Sequence, residues 1–215
     1  TVEAIAQTKM RSVDKKMLLG FQLHESVKDS AYEVKRQLKE EKNLDIEIQI
    51  VEEFEKYELN KKFASYLKRN LHLVIACLEE LKLSVDLSIF DDVDLFGRCQ
   101  KIAPNITIDV GHNPLAAKVL LKEFENKKIT LIYNSYADKD YEEVLKILKP
   151  IINKIIIIDI NDNRMVDKNN LLKIIKELNI INEPIINIDE NEEYLVFGSF
   201  LVVEKFLALI GFDEK

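Results

Sequence analysis

The segment from Ile108 to Pro114 brings an acid, an imidazole and a helix start close together in the chain. Asp109 and His112 lie on either side of Gly111, at the end of an apolar run that predicts a buried strand. A carboxylate and an imidazole at such a strand-to-helix corner can face a nucleotide or a phosphorylated intermediate, because the N–H groups and dipole of the helix favour anions there. The alternative is structural: Asp109 accepts hydrogen bonds from helix or loop N–H groups, and His112 bonds within the turn.

Other candidates for chemistry each have an ordinary alternative. Arg98 has the paired N–H donors that bind phosphate, but it also fits a surface arginine after a flexible glycine. Asn70 offers both amide edges to a base, or is a solvated polar residue. Ser199 can cap a helix or bind a carboxylate, and the cap is favoured. Lys9 alone is more typical of a surface lysine than of a catalytic one.

Three further features have sufficient structural interpretations. His24 and His72 have no partner pattern, and both are interpreted as structural. The cluster Asp138-Lys139-Asp140 opens a predicted helix, where acids complement the helix dipole.

Short strands and helices alternate regularly after residue 105, and they would position the corner. Asn113 fits an N-cap and Pro114 the first helical position. Isoleucine-rich strands between such helices predict an α/β, Rossmann-like domain over 94–215, with a mainly parallel sheet covered on both faces. The predicted strands are Ile106–Val110, Ile129–Tyr133, Lys154–Ile160 and Tyr194–Gly198, and the helices 114–125, 138–149, 167–178 and 199–210. A further run, Ile185–Ile188, is too close to Tyr194 for a parallel crossover. It either pairs antiparallel at an edge, which is favoured, or is not a strand of the sheet.

Residues 1–93 predict helix, strand, helix, strand and helix, with Asp91-Asp92-Val93-Asp94 as the linker. This set is thin for an independent domain, and we expect it to be the α/β remainder of a larger one.

Composition excludes several classes of protein. The 215 residues are 47% hydrophobic, enough to bury one or two cores. A net charge of −7 without a concentrated basic face argues against nucleic acid as a partner. Two cysteines, Cys77 and Cys99, have neither the spacing of a metal site nor the number of a disulfide scaffold, so a cytoplasmic location is expected. Neither a membrane span nor a targeting leader is evident.

Taken in order, six short segments resemble the folylpolyglutamate synthase/dihydrofolate synthase family of Mur-type ATP-dependent ligases. The resembling pairs are "TVEAIAQTKM" with T-L-E-x-I-A-x-E-K, "RNLHLVIACLEEL" with an asparagine-led, alanine-rich helix, "FGRCQ" with P-G-R-x-Q, "IDVGHNPLAAKVL" with D-x-A-H-N-P-x-A-A, "ADKD" with A-x-K-D, and "GSFLVVEKF" with G-S-L-Y-L-V-G-E-V. Together they extend over nearly all of the chain.

The resemblance implies an enzyme that uses ATP and Mg²⁺ to join glutamate to a folate or pteroate, through an acyl phosphate. It implies that His112 is the active-site histidine and that Lys9 is a lysine that can be carbamylated to help hold Mg²⁺. It implies that Asn70 lies beside adenine, that Arg98 reaches an ATP phosphate and that Asp109 contacts the nucleotide. Ser199 would lie on the glutamate side. We expect the intact protein to be a monomer.

The sequence departs from the family at several places. It contains no G-x-x-x-x-G-K-[ST] loop to hold the β- and γ-phosphates. Thr8, Phe96 and Gly111 replace the usual Glu, Pro and Ala, and Tyr66-Leu67 replaces His-Gln. We therefore expect an inactive C-terminal fragment of a longer ligase, comprising the ATPase remainder (1–93) and a complete C-terminal domain (94–215). The alternatives are another Mur-type ligase acting on a cell-wall precursor, or a non-catalytic nucleotide-binding or interaction module.

Overall fold

The structure is a computed structural model, and it describes residues 1–51, 63–91, 93, 95–184 and 188–212. The chain divides into two compact units, Thr1–Val93 and Asp94–Lys215. Both contain helices and strands, and the larger sheet is mostly parallel, so the α/β class expected from the sequence is confirmed.

The first unit is built around one long helix between two parallel strands. Its elements are α1 (Val2–Met10), β1 (Lys16–Leu19), α2 (Glu25–Lys42), β2 (Glu47–Ile50), α3 (Ser65–Glu80) and a 3₁₀ turn (Leu87–Phe90). Helix α2 buries Val27, Ala31, Val34 and Leu38, whose spacing of three and four residues places them on one helical face. These side chains form a core with Met10, Met17, Leu19 and Ile46.

The sheet of the first unit has two strands, paired in parallel with Met17 opposite Ile48. Large apolar side chains of this unit remain in solvent, including Ile5 (62% exposed), Leu23 (60%) and Leu81 (67%). Parallel strands are usually covered on both faces, and two-stranded sheets are marginal alone. The described part of this unit therefore exposes apolar surface around a small sheet.

The second unit contains a six-stranded sheet. Its elements are β3 (Gln100–Ala103), β4 (Ile106–Asp109), α4 (Pro114–Glu123), β5 (Ile129–Tyr133), α5 (Tyr141–Leu148), β6 (Ile152–Ile157), α6 (Lys168–Glu177), β7 (Ile181–Asn182), β8 (Glu193–Phe197) and α7 (Phe200–Leu209). The strand order is β3-β4-β8-β5-β6-β7. Among the described strands, only β3 and β4 pair antiparallel.

The two faces of this sheet are covered unequally. Helices α4, α5 and α6 pack on one face, where they contact Leu131 and Tyr133 of β5. Helix α7 packs on the other face, against side chains that include Ile132 of β5 and Val196 of β8. Strands β4 and β5 are buried along their whole length, and burial on both faces explains the nearly continuous apolar sequence of β5.

Strand β8 is the last strand in the chain, yet it lies between β4 and β5. Its entry is fixed by Asn105, whose Nδ2 donates to the carbonyl oxygens of Asp189 (3.0 Å) and Glu192 (2.9 Å). Lys154 forms ion pairs with Glu192 (2.8 Å) and Glu183 (3.1 Å) at the same end of the sheet. These polar contacts connect the turn before β8 to strands β4 and β6.

The structure differs from the sequence expectations at the sheet edges. Strand β3 was not predicted, because Gln100 and Lys101 interrupt any apolar run there. The other edge strand, β7, pairs in parallel with β6, Ile181 lying opposite Lys154. The antiparallel strand expected at Ile185–Ile188 falls mostly on residues 185–187, which are outside the described residues.

None of the described helices is long and apolar enough to cross a membrane.

Because one helix covers the second face, its central side chain should contribute strongly to stability. Phe206 of α7 is fully buried, whereas Leu209 on the same helix is 53% exposed. We predict that Phe206→Ala lowers the free energy of unfolding by about 3–5 kcal/mol, through lost burial and a residual cavity. The control Leu209→Ala should change it by less than about 0.5 kcal/mol. Urea denaturation measures both, and equal effects would contradict this account of the sheet.

Candidate functional site

The candidate site residues of the second unit lie at the carboxyl edge of the parallel sheet. Asp109 of β4 lies opposite Phe197 of β8, which lies opposite Tyr133 of β5. Tyr133 in turn lies opposite Ile157 of β6. Since these four strands end at one level, the loops that follow them share one edge, where ligands of open α/β sheets bind.

The Asp109 carboxylate organises the start of this edge. It is 4% exposed, and it accepts hydrogen bonds from Gly111 N (2.7 Å) and Cys99 N (3.0 Å). Asp109 therefore accepts hydrogen bonds from loop N–H groups, as its structural alternative stated. Burial, together with the Asp109 charge, raises the pKa of the Cys99 thiol to about 12, so the thiol stays protonated at neutral pH.

The turn that carries Arg98 is built onto the end of β4. Gly97 has a φ of +65°, and a Cβ there would collide with Val110. Its N–H donates to Gln100 Oε1 (3.0 Å), and its carbonyl accepts from Val110 N (2.8 Å). The first and last residues of the Gly-Arg-Cys-Gln segment thus form the turn, and Arg98 is exposed upon it.

The corner after β4 has the helix start expected from the sequence. Asn113 caps α4 by accepting from Ala116 N (2.9 Å), and Pro114 occupies the first helical turn, so this prediction is confirmed. Gly111 is tightly enclosed: a Cβ there would lie 2.7 Å from Ala116 Cβ and 2.9 Å from Phe197 Cε2. This packing gives a physical reason for glycine where alanine was expected.

His112 lines an open pocket of about 460 Å³. The other lining residues are Tyr136, Ala137, Asp138, Lys139 and Arg164. The imidazole is half-buried and meets the Tyr136 ring edge-on, with a centroid distance of 6.3 Å and an interplanar angle of 75°. It makes no hydrogen bond to any residue that the structure describes, so the bond within the turn, which was the structural alternative for His112, is not observed among them.

Charges of both signs surround this pocket. Lys139 pairs with Asp138 (2.8 Å), and this contact lowers the pKa of the Asp138 carboxyl. Arg164 pairs with Asp162 through two hydrogen bonds, Nε to Oδ1 (3.1 Å) and Nη2 to Oδ2 (2.9 Å). The Arg164 guanidinium also lies over the Tyr136 ring, 5.2 Å from its centroid. Exposed pairs of this kind contribute little to stability and exchange readily for ligand contacts.

The loops after β5 and β6 are joined by backbone contacts. Ala137 N donates to Arg164 O (2.8 Å), Val166 N donates to Ser135 O (2.8 Å), and Tyr136 forms an antiparallel bridge with Met165. Sequence reasoning assigned no role to Tyr136 or Arg164. The nearest sequence signal was the Ala-Asp-Lys-Asp segment. It identified the loop after β5, but it did not indicate that Tyr136 contacts His112.

The Gly198-Ser199 turn ends β8 against the loop after β5. Ser199 is 1% exposed and its Oγ accepts from Val202 N (3.3 Å), so the favoured N-cap interpretation is confirmed. Gly198 has a φ of +133°, and a Cβ there would overlap the Asn134 carbonyl oxygen. Asn134 is fixed in turn, because its Nδ2 donates to Ile158 O (2.8 Å).

The remaining candidates, Lys9 and Asn70, belong to the first unit. Lys9 is exposed in the last turn of α1, and Asn70 is exposed near the start of α3. Beside Asn70, the Arg69 guanidinium lies 3.9 Å from the centroid of the Phe21 ring. Within the described ranges, no group of three or more His, Cys, Asp or Glu side chains could hold a metal ion.

Several known proteins are similar to this chain, and three of them illustrate the match. A dihydrofolate synthase/folylpolyglutamate synthase of Buchnera aphidicola (from Acyrthosiphon pisum) is 30% identical over 145 aligned residues, and the match covers 60% of this chain and 35% of that protein. The crystal structure of Helicobacter pylori folylpolyglutamate synthetase has 32% identity and a TM-score of 0.64, and the match covers 99% of this chain and 57% of that one. The resemblance to the folylpolyglutamate synthase/dihydrofolate synthase family is confirmed.

A third match shows the fold alone. The bifunctional folylpolyglutamate synthase/dihydrofolate synthase of Yersinia pestis, solved with AMPPNP and a Mn ion, has a TM-score of 0.74 at 17% identity, covering 98% of this chain and 57% of that one. No protein-family model matches the sequence. The chain thus spans less than two thirds of the length of each of these folate-ligase relatives.

The contact between Gly198 and Asn134 should tolerate no side chain at position 198. We predict that Gly198→Ala destabilises the chain by at least about 3 kcal/mol, because both the backbone angle and the overlap must be relieved. Gly211→Ala is the matched control: its φ is +64°, but nothing lies within 4 Å of its Cβ position. It should cost about 1 kcal/mol. Similar melting temperatures for the two variants would contradict the proposed overlap.

Proposed function

We propose that the protein containing this chain is an ATP-dependent ligase that adds glutamate to a folate or pteroate substrate through an acyl-phosphate intermediate. The observation that carries the proposal is the His112 pocket, in a chain that is 32% identical to a folylpolyglutamate synthetase over 99% of its length. The ligands of the Yersinia pestis structure, AMPPNP and Mn, support ATP and a divalent cation as its cofactors.

The charges around the pocket suit glutamate. Lys139 and Arg164 supply two positive charges, and Asp138 supplies a negative one. Glutamate carries two carboxylates and one ammonium group, so its charges complement those of the lining. His112, the proposed catalytic residue, lies in the same lining, where it can contact the incoming amino acid. Ser199 is proposed on the glutamate side as well, although its Oγ already caps α7.

Three residues are proposed to contact the nucleotide. Arg98 is exposed and can reach a phosphate, and Asn70 is exposed and can reach adenine. The proposed Asp109 contact with nucleotide would add to its bonds with Gly111 and Cys99. Lys9 would be a magnesium ligand only as a carbamate. Bound Mg²⁺ would offset charge on the ATP phosphates, and most of its oxygen ligands would have to come from elsewhere.

We assign residues 1–93 to the remainder of a central ATPase domain and 94–215 to a Mur-ligase-type C-terminal domain. The two-stranded sheet with exposed apolar surface supports the first assignment, and the six-stranded sheet supports the second. The lack of a G-x-x-x-x-G-K-[ST] loop in the 215 residues favours one alternative, a non-catalytic nucleotide-binding or interaction module.

The purified 215-residue chain is predicted to have no ligase activity, because it has no loop to hold the β- and γ-phosphates. The full-length product of its gene is predicted to join radiolabelled glutamate to dihydropteroate or tetrahydrofolate when ATP and Mg²⁺ are present. Glutamate addition by the 215-residue chain would contradict the fragment hypothesis. Failure of the full-length product with both substrates would support the non-catalytic alternative.

His112→Ala in the full-length product is predicted to lower kcat by about 10²-fold or more, the range for loss of a group that acts in proton transfer or transition-state contact. Far-ultraviolet circular dichroism should remain unchanged, because the imidazole forms no hydrogen bond to the described residues. His24→Ala is the control, and its kcat should equal that of the wild type. A wild-type kcat for His112→Ala would return His112 to a structural role.

A further inference from the structure

Tyr136 lies between His112 and Arg164 in the lining of the pocket. It contacts His112 from the loop after β4 and Arg164 from the loop after β6. We propose that Tyr136 is a positioning residue that holds the His112 imidazole in one orientation at the pocket. Its consequence for catalysis rests on the proposed function, but the positioning itself does not.

The described contacts of the His112 imidazole are few. The imidazole forms no hydrogen bond to the described residues, and its neighbours Gly111 and Asn113 contribute backbone and capping contacts rather than ring contacts. Its described ring contact is the edge-on one with Tyr136, at a centroid separation within the 4.5–7 Å favoured by aromatic pairs. Asp138 also interacts with the imidazole through its charge, but a charge alone does not fix the plane of a ring. The orientation of the imidazole therefore depends on the Tyr136 contact.

Backbone contacts on both sides hold Tyr136 itself in place. Its residue forms the antiparallel bridge with Met165, and hydrogen bonds flank it on both sides, from Val166 N to Ser135 O and from Ala137 N to Arg164 O. The Arg164 guanidinium lies over its ring and is itself held by two bonds to Asp162. A ring whose backbone is restrained on both sides, with a cation over its face, can restrain another ring.

The ring of Tyr136, and not its hydroxyl, makes the contacts with His112 and Arg164. Its hydroxyl forms no hydrogen bond to the described residues, so the aromatic ring is the part that makes both contacts. Phenylalanine should therefore replace Tyr136, whereas leucine, of similar apolar character but without a ring, should not. This contrast separates positioning by the ring from general packing.

The first experiment is NMR on the purified 215-residue chain, which has three histidines. Wild type and Tyr136→Phe should show a nuclear Overhauser effect between the His112 imidazole and the ring at position 136. In Tyr136→Leu the His112 ring signals should move to the values of a mobile histidine, while the His24 and His72 signals stay in place. Tyr32→Leu, at an exposed tyrosine of the first unit, should change none of them. Absence of the effect in wild type, or unchanged His112 signals in Tyr136→Leu, overturns the proposal.

The second experiment measures glutamate ligation by the full-length gene product. Tyr136→Leu should lower kcat about ten- to hundredfold, as expected for a misplaced catalytic group, with the KM for ATP changed less than about twofold. Tyr136→Phe should restore kcat to near the wild-type value. An active protein whose Tyr136→Leu variant keeps a wild-type kcat overturns the catalytic part of the proposal. An inactive full-length protein that gives the expected NMR result overturns the proposed function and leaves the positioning role supported.

Discussion

The placement of β8 in the middle of the sheet is the constraint on which the second unit depends. Ile106 and Thr130 both pair with Tyr194, so strands β4 and β5 are joined only after the last strand of the chain has been inserted. Pairing residues so distant in sequence costs chain entropy, which the buried side chains of β8 and α7 must offset. The end of β8 then approaches Asn134 so closely that only glycine fits at 198.

This insertion also assembles the carboxyl edge. Phe197 of β8 lies against Gly111, and Gly111 donates to Asp109, so the corner before His112 is shaped by β8 as well as by its own sequence. On the other side, Gly198 packs against the loop that leads to Tyr136. The two loops that bring His112 and Tyr136 into contact are therefore both packed on the end of one strand.

The fold was largely predictable because its signals are local. Strands that are buried on both faces have apolar sequences, and amphipathic helices separate them along the chain. Asn113 and Ser199 cap their helices by accepting hydrogen bonds from the N–H groups three residues ahead. The edge strands β3 and β7 were harder, since polar residues or a length of two residues leave no periodic pattern. The contacts of Tyr136 with His112 and Arg164 were not predictable, because they join three loops and depend on strand order and register.

The chemistry of the corner is divided differently from what its residue types suggest. Asp109 is the more buried of the pair and accepts from two backbone N–H groups, whereas His112 lines the pocket and, among the described residues, meets the Tyr136 ring edge-on. A carboxylate that fixes two loops restrains the backbone from which the imidazole projects, and Tyr136 restrains the imidazole itself. Asp109 thus limits the backbone motion of His112, and Tyr136 limits the rotation of its ring. The ionic side chains on the other loops, Lys139 and Arg164, are in exposed pairs that can exchange partners at low cost. Rigidity is therefore concentrated on the proposed reacting group, and adaptability on the side chains that would bind substrate charge.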